Sequence, residues 1–247
     1  MYTALISLGI GLLAGGIWTL LDLWKGWAMG IVLGVLLSAL AFVLITRALS
    51  KRAEPRFLQA QKQIQAGATQ AAIVTLEEMI PLSRWQIMLK GQIHAQIGCL
   101  HYSLGQDKKA LEHLQKASRR VSDAQIFLAA LHFRQKHFDK AKKVLDEAIG
   151  FNKKQVILYN VLAWMQLKEG NRSEAVEVLL RCEKKDEKSE ATKDNLLRIQ
   201  NGKKMNMKRF GMSWYALKLE KPPASMRQAQ PGGPRPGFRQ KRRGGRR

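Results

Sequence analysis

Between about Ala53 and Glu187 one arrangement of small and large residues recurs, and nothing else in the chain restricts the fold as tightly. In its clear copies Ile97-Gly98-x2-His101 is followed by Ala110-x3-Leu114-x2-Ala117, and Leu128-Ala129-x2-His132 by Ala141-x3-Leu145-x2-Ala148. A third copy runs Tyr159-x2-Leu162-Ala163-x2-Gln166 and then Ala175-x3-Leu179-x2-Cys182. Small residues at fixed helical positions let two antiparallel helices approach closely, and the large ones fill the seam. A period near about 34 residues corresponds to one helix-turn-helix unit per repeat.

These residues resemble the tetratricopeptide repeat (TPR), over a little more than half the chain. The usual aromatic near the end of the first helix is His101, His132 or Gln166 here, and the closing proline is missing. Gly105 and Gly170 occupy the inter-helix turn, with Lys136 replacing glycine in the middle copy. A weaker copy comes first: Ala60, Gly67, Ala72, Leu76 and Met79 keep the spacing, while Gln59 and Gln63 stand where apolar residues belong. Extra residues around Pro81 to Trp85 lengthen the local period and the helix that follows. A stack of repeats needs a terminal helix with a polar outer side. Ser189 can cap such a helix over 190–201, with Leu196 and Leu197 one repeat length beyond Leu162 and Ala163, and Gly202 can end it.

Ahead of the repeats lie two uncharged apolar runs, Tyr2 to Leu21 and Trp27 to Thr46, each long enough to cross a bilayer as a helix. A cleaved signal peptide is the competing reading of the first. Against it, the run has no preceding Lys or Arg and no small-x-small site before Asp22. Only Asp22 to Gly26 join the runs, which requires a tight hairpin, and Trp18, Trp24 and Trp27 gather at headgroup level. Ser7, Gly11, Gly15 and Thr19, then Gly26, Gly30, Gly34 and Ser38, form a small-residue ridge in each span. The ridges suit packing of the hairpin on itself or a homo-oligomer contact. Arg47, Lys51, Arg52 and Arg56 follow the second span, so the expected location is the inner (cytoplasmic) membrane, two-pass, with both termini and the repeats in the cytoplasm.

The fold expected is therefore all-α: a two-helix transmembrane hairpin, then an α-solenoid of about three to four TPR-like repeats with a capping helix, then a disordered basic tail. The boundaries are 1–49 for the membrane part (helices about 2–21 and 27–46) and 53–201 for the repeats. A basic and aromatic segment covers 202–221, and an Arg/Gly/Pro-rich tail 222–247. Met205, Met207, Phe210, Trp214 and Tyr215 in the third part suit a membrane-surface segment or, more simply, a packed end of the domain.

A net charge of +23 argues for an anionic partner. No acidic residue follows Glu220, and Arg235, Arg239, Lys241, Arg242, Arg243, Arg246 and Arg247 are the expected contacts to anionic lipid or to RNA. Cys99 and Cys182 stand at small-residue positions and read as core fillers. No catalytic motif, phosphate loop or paired-cysteine metal spacing occurs, so no enzyme activity, cofactor or metal is expected. His101 and His132 read as packing residues at equivalent positions, with His94 in a first helix, His113 in a second and His137 at a turn.

The TPR resemblance implies binding on a concave face built from first helices. Its lining falls at Gln92, Ala95, Cys99, Tyr102 and Ser103; at Ile126, Ala130, Phe133 and Arg134; and at Asn160, Trp164, Leu167 and Lys168. Phe133 and Trp164 then serve as apolar anchors, and Arg134 and Lys168 as partners for a carboxylate. Alternatively, Phe133 and Trp164 simply fill a closed superhelix. The family's carboxylate-clamp set of lysines and asparagines is absent. The function expected is a non-enzymatic, membrane-anchored adaptor or scaffold for an unknown protein client. The alternative is a membrane tether for RNA or ribosomes through the basic tail.

Overall fold

The computed structural model describes residues 2–21, 26–85 and 87–223, and every regular element among them is helical. Helix α1 (Tyr2–Leu20) lies antiparallel to α2 (Gly26–Gln65), with Gly11 opposite Gly34 and Gly15 opposite Gly30. A Cβ added to Gly34 would sit 2.7 Å from the Gly11 carbonyl oxygen, so the two backbones touch directly. The small-residue ridges thus face each other. The other sides carry Leu5, Leu8, Leu12, Leu13 and Leu36, all more than half exposed. Both helices are long and apolar enough to cross a bilayer. Asp22 to Lys25 of the connecting loop lie outside the described residues.

At 40 residues, α2 is about 60 Å long, twice what a bilayer's hydrocarbon requires. Its second half is also the first helix of the first repeat. Ala53 and Ala60 are buried and Phe57 is partly buried, in one core with Ala72, Ile73 and Leu76 of α3 (Thr69–Glu77). Ile93 and Ile97 of α4 (Ile87–Ser103) join that core. Pro55 lies inside α2 without ending it, at the cost of the hydrogen bond its missing N–H would have made. The Pro81 insertion forms a 3₁₀ turn, Ile80–Arg84, and α4 runs to 17 residues.

Three further pairs follow: α4 with α5 (Asp107–Gln115), α6 (Ser122–Arg134) with α7 (Phe138–Phe151), and α8 (Val156–Glu169) with α9 (Arg172–Glu183). The recurring small residues form their seams: Ala110, Ala129, Ala141, Ala163 and Ala175 are essentially inaccessible. Helix α10 (Glu190–Gln200) covers the last pair, and the Ser189 hydroxyl accepts from the Thr192 N–H. Leu196 is buried, but Leu197 is 59% exposed, because it falls on the outer side of the covering helix.

The turns explain the departures from the TPR pattern. Gly67, Gly105, Lys136, Gly170 and Gly202 all have positive φ, and each closes a Schellman turn. In the second repeat Gly105 N–H donates to Tyr102 O and Gln106 N–H to His101 O; the others repeat this pattern. The carbonyl that closes the wider ring of each turn belongs to Gln63, His101, His132, Gln166 or Arg198. Where the family carries an aromatic, this chain uses a polar side chain that reaches across its own turn. His101 Nδ1 meets Gln106 Oε1 at 2.7 Å, and Asn171 donates to Gln166 at 3.1 Å. In the third repeat the His132 and His137 rings lie edge-on, 6.2 Å apart. Ala68 offers no such partner in the first repeat, so Gln63 instead accepts from the Thr75 hydroxyl on α3.

The described residues from Met207 onward form a second compact unit. Its described part has a 3₁₀ turn, Met207–Phe210, followed by α11 (Gly211–Tyr215). Trp214 and Tyr215 are buried, and the Trp214 indole donates to Glu220 at 3.1 Å.

Candidate functional site

The first helices α4, α6 and α8 bring five of the expected lining residues, Tyr102, Phe133, Arg134, Trp164 and Lys168, into one aromatic and cationic ladder. Tyr102 packs on Phe127 at 4.7 Å, and Phe133 packs on Trp164 at 5.6 Å. A cation covers each end: Arg134 lies 6.0 Å from the centre of the Tyr102 ring, and Lys168 lies 5.0 Å from that of Trp164. Tyr102 and Trp164 are buried, Phe133 is half-buried, and Arg134 and Lys168 are exposed. The ladder therefore shows a solvent-side surface of charge over a floor of rings. Burial raises the Tyr102 phenol above its usual range, which keeps it a neutral part of that floor.

The two cations differ. Arg134 holds Asp107 through both its terminal nitrogens, at 3.0 and 3.4 Å, tying the third repeat to the second. Among the described residues Lys168 forms no ion pair, so its charge is available to a ligand.

Two further expected residues, Gln92 and Asn160, lie apart from it. Gln92 is exposed near the start of α4. Asn160 is fully buried: its amide donates to Val156 O and Thr192 Oγ1, and its oxygen accepts from Asn195. It holds the covering helix α10 to α8 rather than facing the open side. The expected lipid or RNA contacts Arg235, Arg239, Lys241, Arg242, Arg243, Arg246 and Arg247 lie outside the described residues.

Both cysteines are free thiols. Burial pushes Cys99 up to about 12, with Asp123 adding to the shift, and it raises Cys182 as well. Neither supplies a thiolate near neutral pH.

The sequence places His94 and His101 in a first helix and His113 in a second, and the fold brings these three together. His94 and His101 are seven residues apart on α4 and straddle Gly98, against which Leu114 of α5 packs. The adjacent His113 is thereby set between them. His94 Nδ1 and His113 Nδ1 are 3.2 Å apart, and the His101 and His113 ring centres are 5.6 Å apart. Burial lowers both His94 and His113, with the neighbouring His113 adding to the shift of His94 and the neighbouring His101 to that of His113, favouring neutral rings. Glu77, at the end of α3, completes the group with His101 and His113. The signal available in the sequence was the seven-residue histidine spacing around a seam glycine. Glu77 belongs to another repeat, and no local pattern reaches it.

No family model matches the chain, and no curated protein matches it in sequence. Solved structures do. The pilF structure from Pseudomonas aeruginosa is 13% identical and superposes with a TM-score of 0.50, covering 69% of this chain and 74% of that one. A MamA crystal structure is 18% identical with a TM-score of 0.46, covering 61% of this chain and 88% of that one. Both are TPR-type proteins, and the likeness to pilF, which concerns the fold alone, supports a TPR-like helical stack.

Proposed function

We propose that this chain is a non-enzymatic adaptor held at the inner membrane by a two-pass hairpin, with its repeats and both termini in the cytoplasm. The observation that carries the reading is the continuity of α2, which is apolar and outward-facing in its first half and part of the repeat core in its second. Such a helix fixes the stack to the anchor without a flexible linker. The basic residues Arg47, Lys51, Arg52 and Arg56 fall on α2 where it would leave the hydrocarbon, which supports the cytoplasmic orientation. The start of α1 lies at that same end of the hairpin. There the Thr3 hydroxyl donates to Trp85 O at 2.7 Å, and Tyr2 meets the Trp85 ring at 5.7 Å. Two amphipathic aromatics at that level suit a headgroup boundary.

The client we infer is a protein segment that places a carboxylate against Lys168 and an apolar or aromatic side chain on Phe133. Lys168 and the ring ladder support this chemistry, and Arg134 shapes the edge of the face through Asp107. The test is affinity capture from detergent-solubilised membranes by the full chain and by its Lys168→Glu and Arg134→Glu variants, all of equal helicity. Clients held by the wild type should be lost from Lys168→Glu. Identical sets of captured proteins for all three would remove this face from the proposal.

A further inference from the structure

We propose that Glu77, His101 and His113 form a binding site for a divalent transition-metal cation of the zinc class. One ligand atom from each lies within 4.8 Å of those of the other two. Two imidazoles and a carboxylate are a donor set that suits zinc and its neighbours far better than magnesium or calcium. Tetrahedral bonds of about 2.0–2.2 Å bring donor atoms to roughly 3.3–3.5 Å of one another. The three groups must therefore close by about an ångström. Glu77 is exposed and ends its helix, so its side chain is free to make that adjustment.

What distinguishes this group from a chance meeting of side chains is that each ring has a partner of its own at Nδ1. His101 is buried, and its Nδ1 lies 2.7 Å from the Gln106 amide oxygen, which can only accept. His101 Nδ1 therefore carries the proton, and Nε2 keeps its lone pair. His113 Nδ1 faces His94 Nδ1, and two neutral rings in that position need one proton between them. When His113 supplies it, its Nε2 is likewise a lone-pair donor. An outer partner that fixes the tautomer and orientation of a ligand histidine is the usual support of a metal site. His132 makes the contrast: it occupies the same repeat position as His101, yet its buried Nδ1 has no hydrogen-bond partner among the described residues.

The surroundings are basic, and Lys90 and Lys116 both act on His94. Lys116 is paired with Glu112 at 2.9 Å, and Glu77 supplies the neutralising charge at the site itself. The donors come from α3, α4 and α5, so a bound cation would join the repeat that contains the anchor helix to the repeat that follows the Pro81 insertion. Water would complete the coordination sphere. The cation would serve as a cross-link between repeats.

The experiment uses the full chain in detergent, without a polyhistidine tag and stripped with a chelator. Zn²⁺ is the probe, read by chelator competition and by the thermal midpoint. The wild type should bind one tight equivalent and melt higher with Zn²⁺. Glu77→Gln, an exposed and nearly isosteric change, should weaken binding at least about tenfold and abolish the thermal gain without altering the metal-free midpoint. Gln106→Ala removes no ligand and should still weaken binding about tenfold to a hundredfold. His137→Ala should bind as the wild type does. Binding of equal strength by wild type and Glu77→Gln, or no tight equivalent in the wild type, would overturn the proposal.

Discussion

On the membrane-anchored reading proposed above, the α1–α2 hairpin and the α4–α5 pair solve one packing problem in two solvents. In each, glycine lets two antiparallel helices come together: Gly34 against the Gly11 carbonyl, and Gly98 against Leu114. In the repeat, close approach seals a seam of inaccessible residues such as Ile97 and Leu114, so water's exclusion from apolar surface supplies the driving force. In the hairpin the seam is narrow and the leucines point outward, leaving van der Waals contact between backbones as the main attraction. The same residue choice thus secures a water-excluding core in one region and only close fit in the other.

That difference is open to a direct break. A leucine at position 98 would put its Cβ 2.7 Å from Leu114 Cγ and 3.0 Å from the Leu114 backbone nitrogen, so the helices must separate and admit water. Gly98→Leu should cost about 3 kcal/mol or more of repeat stability, measured by denaturant unfolding of the full chain in detergent. Gly34→Leu is as tight sterically, at 2.7 Å from a carbonyl oxygen, but its helices can part within an apolar phase. It should shift the repeat transition by less than about 0.5 kcal/mol. Equal shifts would mean that anchor and stack unfold as one body.

A smaller effect sharpens the comparison among turns. Lys136 has φ 61°, where its counterparts Gly105 and Gly170 need no Cβ. Lys136→Gly should stabilise the repeats by about 1 kcal/mol, since the left-handed backbone penalty exceeds the entropy glycine adds to the unfolded chain. An unchanged or lowered denaturant midpoint would show that the turn relaxes around the lysine.

The smallest expected effect is on acid stability. Burial, aided by Lys140 and His137, lowers His132 below the usual histidine range. A ring that resists protonation when folded contributes no penalty above the unfolded value of about 6.5. Below it, stability falls as the pH drops towards the depressed folded value. Replacing His132 and His137 together by Gln and Asn recreates the Gln166–Asn171 pairing. The double variant should lose less stability than the wild type between pH 7 and pH 5. Parallel pH profiles would remove His132 from the account.

The repeat spacing was legible because Ala110, Ala141 and Ala175 must each fit against a neighbouring helix, and only small residues do so at fixed intervals. Gln63 looked misplaced because its partner, Thr75, belongs to the next helix. The continuity of α2 through the basic stretch was hidden by Pro55, which ordinarily marks a helix boundary. Of the candidate face, the ring and cation positions followed from the repeat register. Asn160 obeys the same register, but α10 supplies Thr192 and Asn195 to bury it, a condition set only by what caps the stack. The histidine group spans three helices, two of them in one repeat and the third in another, and so escaped every local pattern.

The proposed adaptor requires that α2 pass from the membrane directly into a cytoplasmic repeat stack. Paired topology reporters, a periplasm-active phosphatase and a cytoplasm-active fluorescent protein, test it when fused after Arg56 and within the loop before Gly26. The account predicts fluorescence without phosphatase activity at Arg56, and phosphatase activity without fluorescence in the loop. Phosphatase activity at Arg56 would place the repeats on the other side of the membrane and contradict it.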